Sequence, residues 1–165
     1  MDPVAASSAD ESRIKELLSS CGLPHEDITT GHLRHFWVLK KQNQIIGLVG
    51  LEVFASSALL RSLAIDPDYR NEGLGSQLTR DAEKYARSLN LQKLYLLTTT
   101  AEGFFAKRGY KKVRREVLPD QVQGTAEFRT LCPVTAVCMA KAIWRLSKVF
   151  QIRPAVNLNP TNWYP

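Results

Sequence analysis

Apolar and polar positions alternate in blocks along this chain, and the period changes from block to block. Ile14, Leu17 and Leu18 recur at helical spacing behind Asp10, a good N-cap residue type, and predict a helix to about residue 20 that Gly22 and Pro24 end. A short strand over 4–8 precedes it. FWVLKK (36–41) and IIGLVGLEVFA (45–55), separated by the polar stretch Gln42–Gln44, predict two strands joined by a turn. Ser56–Ser57 predicts a second turn before ALLRSLAI (58–65), a third strand stopped by Asp66 and Pro67. Leu74, Leu78, Ala82, Ala86 and Leu89 form the apolar stripe of a helix over about 74–89.

The second half continues with LQKLYLLT (91–98) as a buried strand and AEGFFAKR (101–108) as a short helix that Gly109 ends. YKKVRREV (110–117) is basic at most positions and predicts a strand at the rim of a sheet. VTAVCMAKAI (134–143) predicts the last strand. Strands joined early by hairpins and interrupted by three or four helices define the class as α/β (α+β), built on one mixed sheet.

With 165 residues, 44% hydrophobic and 23% charged, the chain suits one domain and excludes a disordered or low-complexity protein. No apolar run is long enough to span a membrane, and no secretion signal is visible at the N-terminus. Three cysteines, Cys21, Cys132 and Cys138, predict reduced thiols and a cytoplasmic protein. The net charge of +6 is concentrated in residues 128–165, which hold five basic residues and no acid. A nucleic-acid partner is therefore not expected. The division is a domain over 1–143 and a basic amphipathic tail over 144–165; across the junction Ile143, Leu146, Val149 and Phe150 recur at helical spacing. That tail suits packing against the sheet or a homodimer, and membrane contact is not expected of so short a segment.

The segment after the third strand carries the most chemistry. A strand runs into a loop with Arg70, Gly73 and Gly75, and the loop opens a long amphipathic helix. Flexible backbone, unpaired N–H groups at a helix start and an adjacent guanidinium make an anion site of Arg70, Asn71, Glu72, Gly73, Leu74, Gly75 and Ser76. No lysine followed by Ser or Thr is present, which excludes a nucleoside-triphosphate loop. Leu78 replaces the third glycine of a dinucleotide fold.

On these residues, together with LYLLTTTAEGFFAKRGY (94–110), the chain resembles the GNAT superfamily of acetyl-CoA-dependent N-acetyltransferases. The resemblance covers about residues 1–143. It implies a mainly antiparallel sheet splayed in the middle, with helices on both faces and acetyl-CoA in the gap between strands 58–65 and 91–98. The pantetheine would pair with the backbone of Leu63 and Ile65, the pyrophosphate would lie on residues 70–76, and an oxyanion donor would be the N–H of Ala64 or Ile65. ALLRSLA, LLTTTAEGFFAKRGY and TAEFRTLCPVTAVCMAK further resemble the arsenic-resistance N-acetyltransferases and, more distantly, short bacterial N-acetylglutamate synthases. This narrower resemblance implies a small amino acid or amino-acid-like acceptor; a protein acceptor or a silent CoA-binding module are the alternatives.

Acetyl transfer needs a neutral amine, donors for the oxyanion and a departing thiolate. Acetylglutamate synthases carry a glutamate two places before the strand arginine; here that place is Leu59, which leaves Glu52 as the carboxylate of the apolar run. A Ser56–Ser57 turn would set Glu52 opposite Arg61. The two then form a structural pair that makes Glu52 a poorer base, or Arg61 faces the gap and anchors an acceptor carboxylate. Many family members have a tyrosine acid on the short helix, where this chain has Phe105, a residue then counted with the cofactor site. Thr98 and Thr100, at the open strand end, are candidate hydrogen-bond donors to the departing thiolate, with turn-forming as their competing role. His25, His32 and His35 lack neighbouring ligands in sequence, so no metal is expected, and Cys132 as an acyl carrier and Arg129 as an anion binder are minor alternatives.

Overall fold

A computed structural model describes residues 1–144. The expected homodimer or sheet-covering role of the basic tail concerns residues beyond Trp144, outside the described residues.

The strands are β1 (Val4–Ala5), β2 (Phe36–Lys41), β3 (Gln44–Phe54), β4 (Ser57–Ile65), β5 (Lys93–Thr98), β6 (Lys111–Lys112) and β7 (Val137–Ala142). The helices are α1 (Glu11–Ser20), α2 (Thr30–Leu33), α3 (Leu74–Ser88), α4 (Glu102–Ala106) and α5 (Asp120–Gln123). All seven strands form one sheet in the order β1-β2-β3-β4-β5-β7-β6. Every pairing is antiparallel except β4 with β5, which is parallel.

That parallel pairing is short. It joins Ser57, Ala58 and Leu59 to Lys93, Leu94 and Tyr95 and goes no further, although β4 continues to Ile65 and β5 to Thr98. Beyond Leu59 the two strands part, and the sheet is splayed in its middle. The expected mixed sheet with a central gap is therefore present.

Two core clusters flank the gap on one face and a third covers the other. Leu78, Ala82 and Ala86 of α3 pack with Phe105 of α4 against Leu51, Ala58, Leu60 and Leu96. Across the sheet, Ile14 and Leu18 of α1 and Leu33 of α2 pack with Phe36, Leu48 and Ala64. Further along that face, Leu59, Tyr95 and Leu97 pack with Leu118 and Val122.

A bulge in β4 decides which side chains reach which cluster. Leu48 pairs with Ala64 and Gly50 with Arg61, so two steps on β3 answer three on β4, and Ser62 sits at φ +57°. Leu60, Leu63 and Ile65 consequently face α3, whereas Leu59, Arg61 and Ala64 lie on the opposite face. Simple alternation would have grouped Leu63 and Ile65 with Arg61.

Two expectations from sequence are corrected. The hairpin turn is Ala55–Ser56 rather than Ser56–Ser57, since Phe54 pairs with Ser57. Glu52 therefore lies opposite Leu59, and Arg61 opposite Gly50, two residues off the expected register. The strand expected over 110–117 is only Lys111–Lys112 at the sheet edge. Just past it Val113 N–H still donates to the Cys138 carbonyl, and Arg115 turns inward, stacking 4.3 Å from the Phe128 ring and donating to the carbonyls of Ala136 and Phe128.

Gly50 has a specific packing role. A Cβ there would come within 2.2 Å of the Phe36 ring, which is fully buried. The ring lies where a side chain would otherwise project, so Gly50→Ala should cost about 1–3 kcal/mol through overpacking. Urea denaturation checks this; an unchanged midpoint would show that Phe36 can move freely.

Candidate active site

The residues of the expected anion loop connect the end of β4 to the first turn of α3. Asn71 and Gly73 adopt positive φ of 68° and 79°, which turns the chain so that Gly73 caps α3 and its carbonyl accepts from Gln77. Arg70, Asn71, Glu72 and Gly73 are exposed, and Leu74, Gly75 and Ser76 form the half-buried first turn of α3. The Arg70 side chain folds back along the strand end, with Nε donating to the Ile65 carbonyl at 3.1 Å and Nη2 to Cys21 Sγ at 3.5 Å. Gly75 lets the Phe104 ring approach to 3.5 Å of its Cβ position, and Arg108 stacks 3.4 Å over that ring while contacting the Ser76 hydroxyl. Helix α4 is thereby fastened to the start of α3.

Leu63, Ala64 and Ile65 lie on the part of β4 that no longer pairs with β5. Phe105 is not at the gap surface; it is buried in the α3-side core, edge-on to Tyr110. Thr98 ends β5, and its Oγ1 accepts from the Ala101 N–H at 2.9 Å, so the hydroxyl oxygen helps start α4.

The feature that the sequence did not bring together lies at the point of splay. Arg61 is the second residue of β4 beyond the last β5 pair, and its side chain is 0% exposed. Its Nη1 and Nη2 donate to both oxygens of Asp27 at 2.6 and 2.7 Å, a bidentate pair. Nη1 also bonds Glu52 Oε1, and Nε lies 2.9 Å from Glu127 Oε2. Glu52 reaches Arg61 diagonally across the β3–β4 ladder, since period-two alternation puts Gly50 and Glu52 on one face. His32 Nε2 approaches Glu52 Oε1 at 3.9 Å.

Electrostatics follow from this geometry. Burial alone would weaken the charged form of Arg61, but the Asp27 hydrogen bonds and the charges of Glu127, Asp27 and Glu52 more than offset it and raise its pKa. Burial would raise the Asp27 carboxyl, yet the bonds and charge of Arg61 hold it below its usual value. Glu127 differs: burial dominates, Arg61 only partly counters it, and Glu52 and Asp27 add repulsion, so its carboxyl is pushed up to about 7. Cys132 Sγ, 3.9 Å from Glu127 Oε1, is pushed up to about 12 by burial and by that carboxylate, which disfavours its thiolate.

Glu52 also lines a cavity of about 250 Å³ with His32, Arg34, His35 and Phe54, so one wall of the cluster is open. A second cavity, of about 350 Å³, lies between α3 and α4 beside Ser76, Arg80, Lys107 and Arg108. Asp27, His32 and Glu52 bring ligand-type atoms within 4.8 Å of one another. Both carboxylates already hold the Arg61 guanidinium, however, and its charge opposes a metal ion there.

Three members of the cluster escaped the sequence reading. Asp27 and His32 lie in a loop and a four-residue helix with no strong periodicity, and His32 was set aside for lack of neighbouring ligands. Glu127 stands two residues from Arg129, which drew attention but is exposed; Glu127 opens a one-turn π-helix, Glu127–Leu131. No membrane-crossing helix is present among the described residues.

A sheet parted after three residue pairs, with a glycine-containing loop opening α3 beside the gap, is the architecture expected of the splayed-sheet class. Comparison with known proteins agrees. The family described as acetyltransferase (GNAT) domain matches residues 32–112. An uncharacterised N-acetyltransferase of Chlorobaculum tepidum is 31% identical over 108 residues, covering 65% of this chain and 67% of that protein. The chain belongs to the GNAT family of N-acetyltransferases. The amino-acid acetyltransferase of Edwardsiella ictaluri is 29% identical over 99 residues, which is 59% of this chain but only 22% of that longer protein. Among solved structures, N-acetylglutamate synthase from Neisseria gonorrhoeae, complexed with coenzyme A and L-arginine, superposes with a TM-score of 0.74 at 22% identity, covering 87% of this chain and 33% of that one. A GNAT-family acetyltransferase from Staphylococcus aureus gives 0.69 at 17% identity, over 87% and 99%.

Proposed function

We propose that this protein moves the acetyl group of acetyl-CoA to the amino group of a small amino acid or amino-acid-like metabolite, in the cytoplasm. The observation that carries this reading is the loss of β4–β5 pairing beyond Leu59, directly between the glycine loop and the carboxylate cluster. The neighbours named for amino-acid acetylation and for coenzyme A support it. The pyrophosphate would rest on residues 70–76, with backbone N–H groups of the α3 start and its dipole as the main donors. The pantetheine would run along Leu63 and Ile65, and the N–H of Ala64 or Ile65 would face the oxyanion.

Glu52, although bonded to Arg61 Nη1 through Oε1, is the member of the cluster on the open wall and receives the first proton of the acceptor's ammonium, directly or through water. The amine nitrogen then attacks the thioester carbon, and the carbon–sulfur bond breaks. Sulfur leaves as a thiolate with a pKa of roughly 8.5 by analogy with cysteine, and it takes the second proton shed by nitrogen. No tyrosine acid is needed for such a leaving group, which suits a chain with Phe105 buried in its core. Arg61, closed within three carboxylates, holds the cluster together; an acceptor carboxylate could bind it only by displacing one of them.

The test is acetyl-CoA-dependent thiol release across L-amino acids, their arsenic- and phosphorus-containing analogues, polyamines and a lysine peptide. Turnover confined to small amino compounds supports the reading. Turnover of the peptide alone moves the assignment to a protein acceptor, and release at the hydrolysis background with every compound rejects it.

A further inference from the structure

The cavity between α3 and α4 carries a charge that acetyl transfer at the splay leaves unused. Arg80, Lys107, Arg108 and Lys141 line its volume of about 350 Å³, against one carboxylate, Glu83. That carboxylate is already engaged: Lys141 Nζ donates to both of its oxygens, at 2.7 and 2.8 Å, and Glu83 is buried. Arg80, Lys107 and Arg108 remain, and none of the three pairs with a carboxylate among the described residues. Beyond Trp144 the sequence holds no Asp or Glu to supply one. This group differs from a solvated basic face because Arg108 is held in place. Its guanidinium stacks 3.4 Å over the Phe104 ring, donates to the Phe104 carbonyl and contacts the Ser76 hydroxyl. Burial and the adjacent Arg80 charge hold it below its usual pKa, so folding keeps two like charges close without compensation. Ser76, Thr79, Arg80 and Glu83 follow one face of α3, and the cavity runs from the first to the third turn of that helix, roughly 10 Å at 1.5 Å per residue. It shares only Ser76 with residues 70–76. The Thr79 hydroxyl is spent on the Gly75 carbonyl, so the cations are the uncommitted donors. A phosphate monoester brings close to two negative charges and three acceptor oxygens at neutral pH, which matches donor-only side chains of this number and sign.

We propose that the α3–α4 cavity is an anion site separate from the glycine loop, taking a phosphate monoester on Arg80, Lys107 and Arg108. The anion preference rests on the cavity alone. Its source is either the 3′-phosphate of a CoA bound in the gap, which rests on the acetyl-CoA reading, or a free phosphate. In both cases the ligand replaces repulsion between Arg80 and Arg108 with charge-assisted hydrogen bonds. Arg108 also ties the cavity to the start of α3 through Ser76 and to α4 through Phe104. Occupancy therefore fastens α4 to the helix whose first turn lies beside the gap.

The experiment uses the full chain as wild type, Arg80→Gln and Lys107→Gln, two substitutions at exposed positions. Thermal unfolding compares sodium phosphate with sodium chloride at equal ionic strength, and calorimetric titration compares CoA with 3′-dephospho-CoA. Phosphate should raise the wild-type midpoint by about 2–4 °C more than it raises that of either variant. If the 3′-phosphate is the occupant, CoA should bind about tenfold more tightly than 3′-dephospho-CoA, with the preference lost in both variants and the phosphate effect lost once CoA is bound. If a free phosphate is the occupant, the two cofactors should bind alike and phosphate should still stabilise the CoA-saturated wild type. The same phosphate effect in wild type and both variants, with the two cofactors bound equally, overturns the inference. Variant-sensitive phosphate stabilisation in a protein that binds no CoA would keep the anion site and reject the acetyl-CoA reading. Acetylation from acetyl-CoA with no variant-sensitive response to phosphate or to the 3′-phosphate would keep that reading and reject the site.

Discussion

Arg61→Met should lower the thermal midpoint by roughly 10–20 °C at pH 8, the largest stability effect expected of any single change in this domain. The side chain it removes is 0% exposed and is the shared counter-ion of Asp27, Glu52 and Glu127. Methionine fills similar volume, so the cost is electrostatic rather than a cavity. Breaking a buried ion pair by deleting one partner typically costs about 3–5 kcal/mol, because the other charge is left without compensation. Here three carboxylates would remain against one another.

The pH dependence fixes the sign. Without Arg61 the buried carboxylates repel one another, so the penalty is full while they are ionised and is relieved as protons are taken up. The deficit at pH 8 should shrink at pH 5.5. Glu127 behaves this way already in the wild type, since its carboxyl is near 7 against an ordinary 4.5, and its ionisation costs stability that returns as pH falls below about 7. Scanning calorimetry at the two pH values checks both statements. A midpoint change under about 3 °C at pH 8 would mean that the guanidinium does not hold the cluster together.

Glu52→Gln should reduce kcat by about 10²–10³-fold, the largest effect expected on turnover, while CoA binding stays unchanged. The amide keeps an oxygen to accept from Arg61 Nη1 and keeps the volume beside the 250 Å³ cavity. What it loses is the ability to take a proton from an ammonium that cannot attack while charged. Steady-state kinetics with the best acceptor, together with calorimetric CoA binding, separates this from misfolding. A kcat within threefold of wild type would place the proton acceptor elsewhere.

Much of the architecture is legible in the chain because its causes are local. The apolar stripe of α3 follows a 3.6-residue period, the glycine loop marks the strand-to-helix turn, and the blocks that became β2, β3 and β5 are bounded by polar turn residues. Even the pairing of Glu52 with Arg61 could be anticipated, although the turn is one residue earlier than expected and the contact is diagonal rather than direct. The short β6 was less legible: its basic residues favour a rim strand, but pairing stops within three residues and Arg115 turns in to the Ala136 and Phe128 carbonyls.

By itself, then, the sequence determined the succession of the longer strands and helices, the place of the glycine loop between β4 and α3, and the presence of a charged pair in an apolar sheet. Tertiary structure decided the rest. A single extra residue at Ser62 reverses the alternation of β4 and assigns Leu63 and Ile65 to the α3 face and Ala64 to the Arg61 face, a switch that no periodic pattern announces. Asp27 meets Arg61 from 34 residues away, and Glu127 meets it from a different segment again. Burying a guanidinium is costly unless carboxylates surround it, and only folding decides which distant loops can supply them.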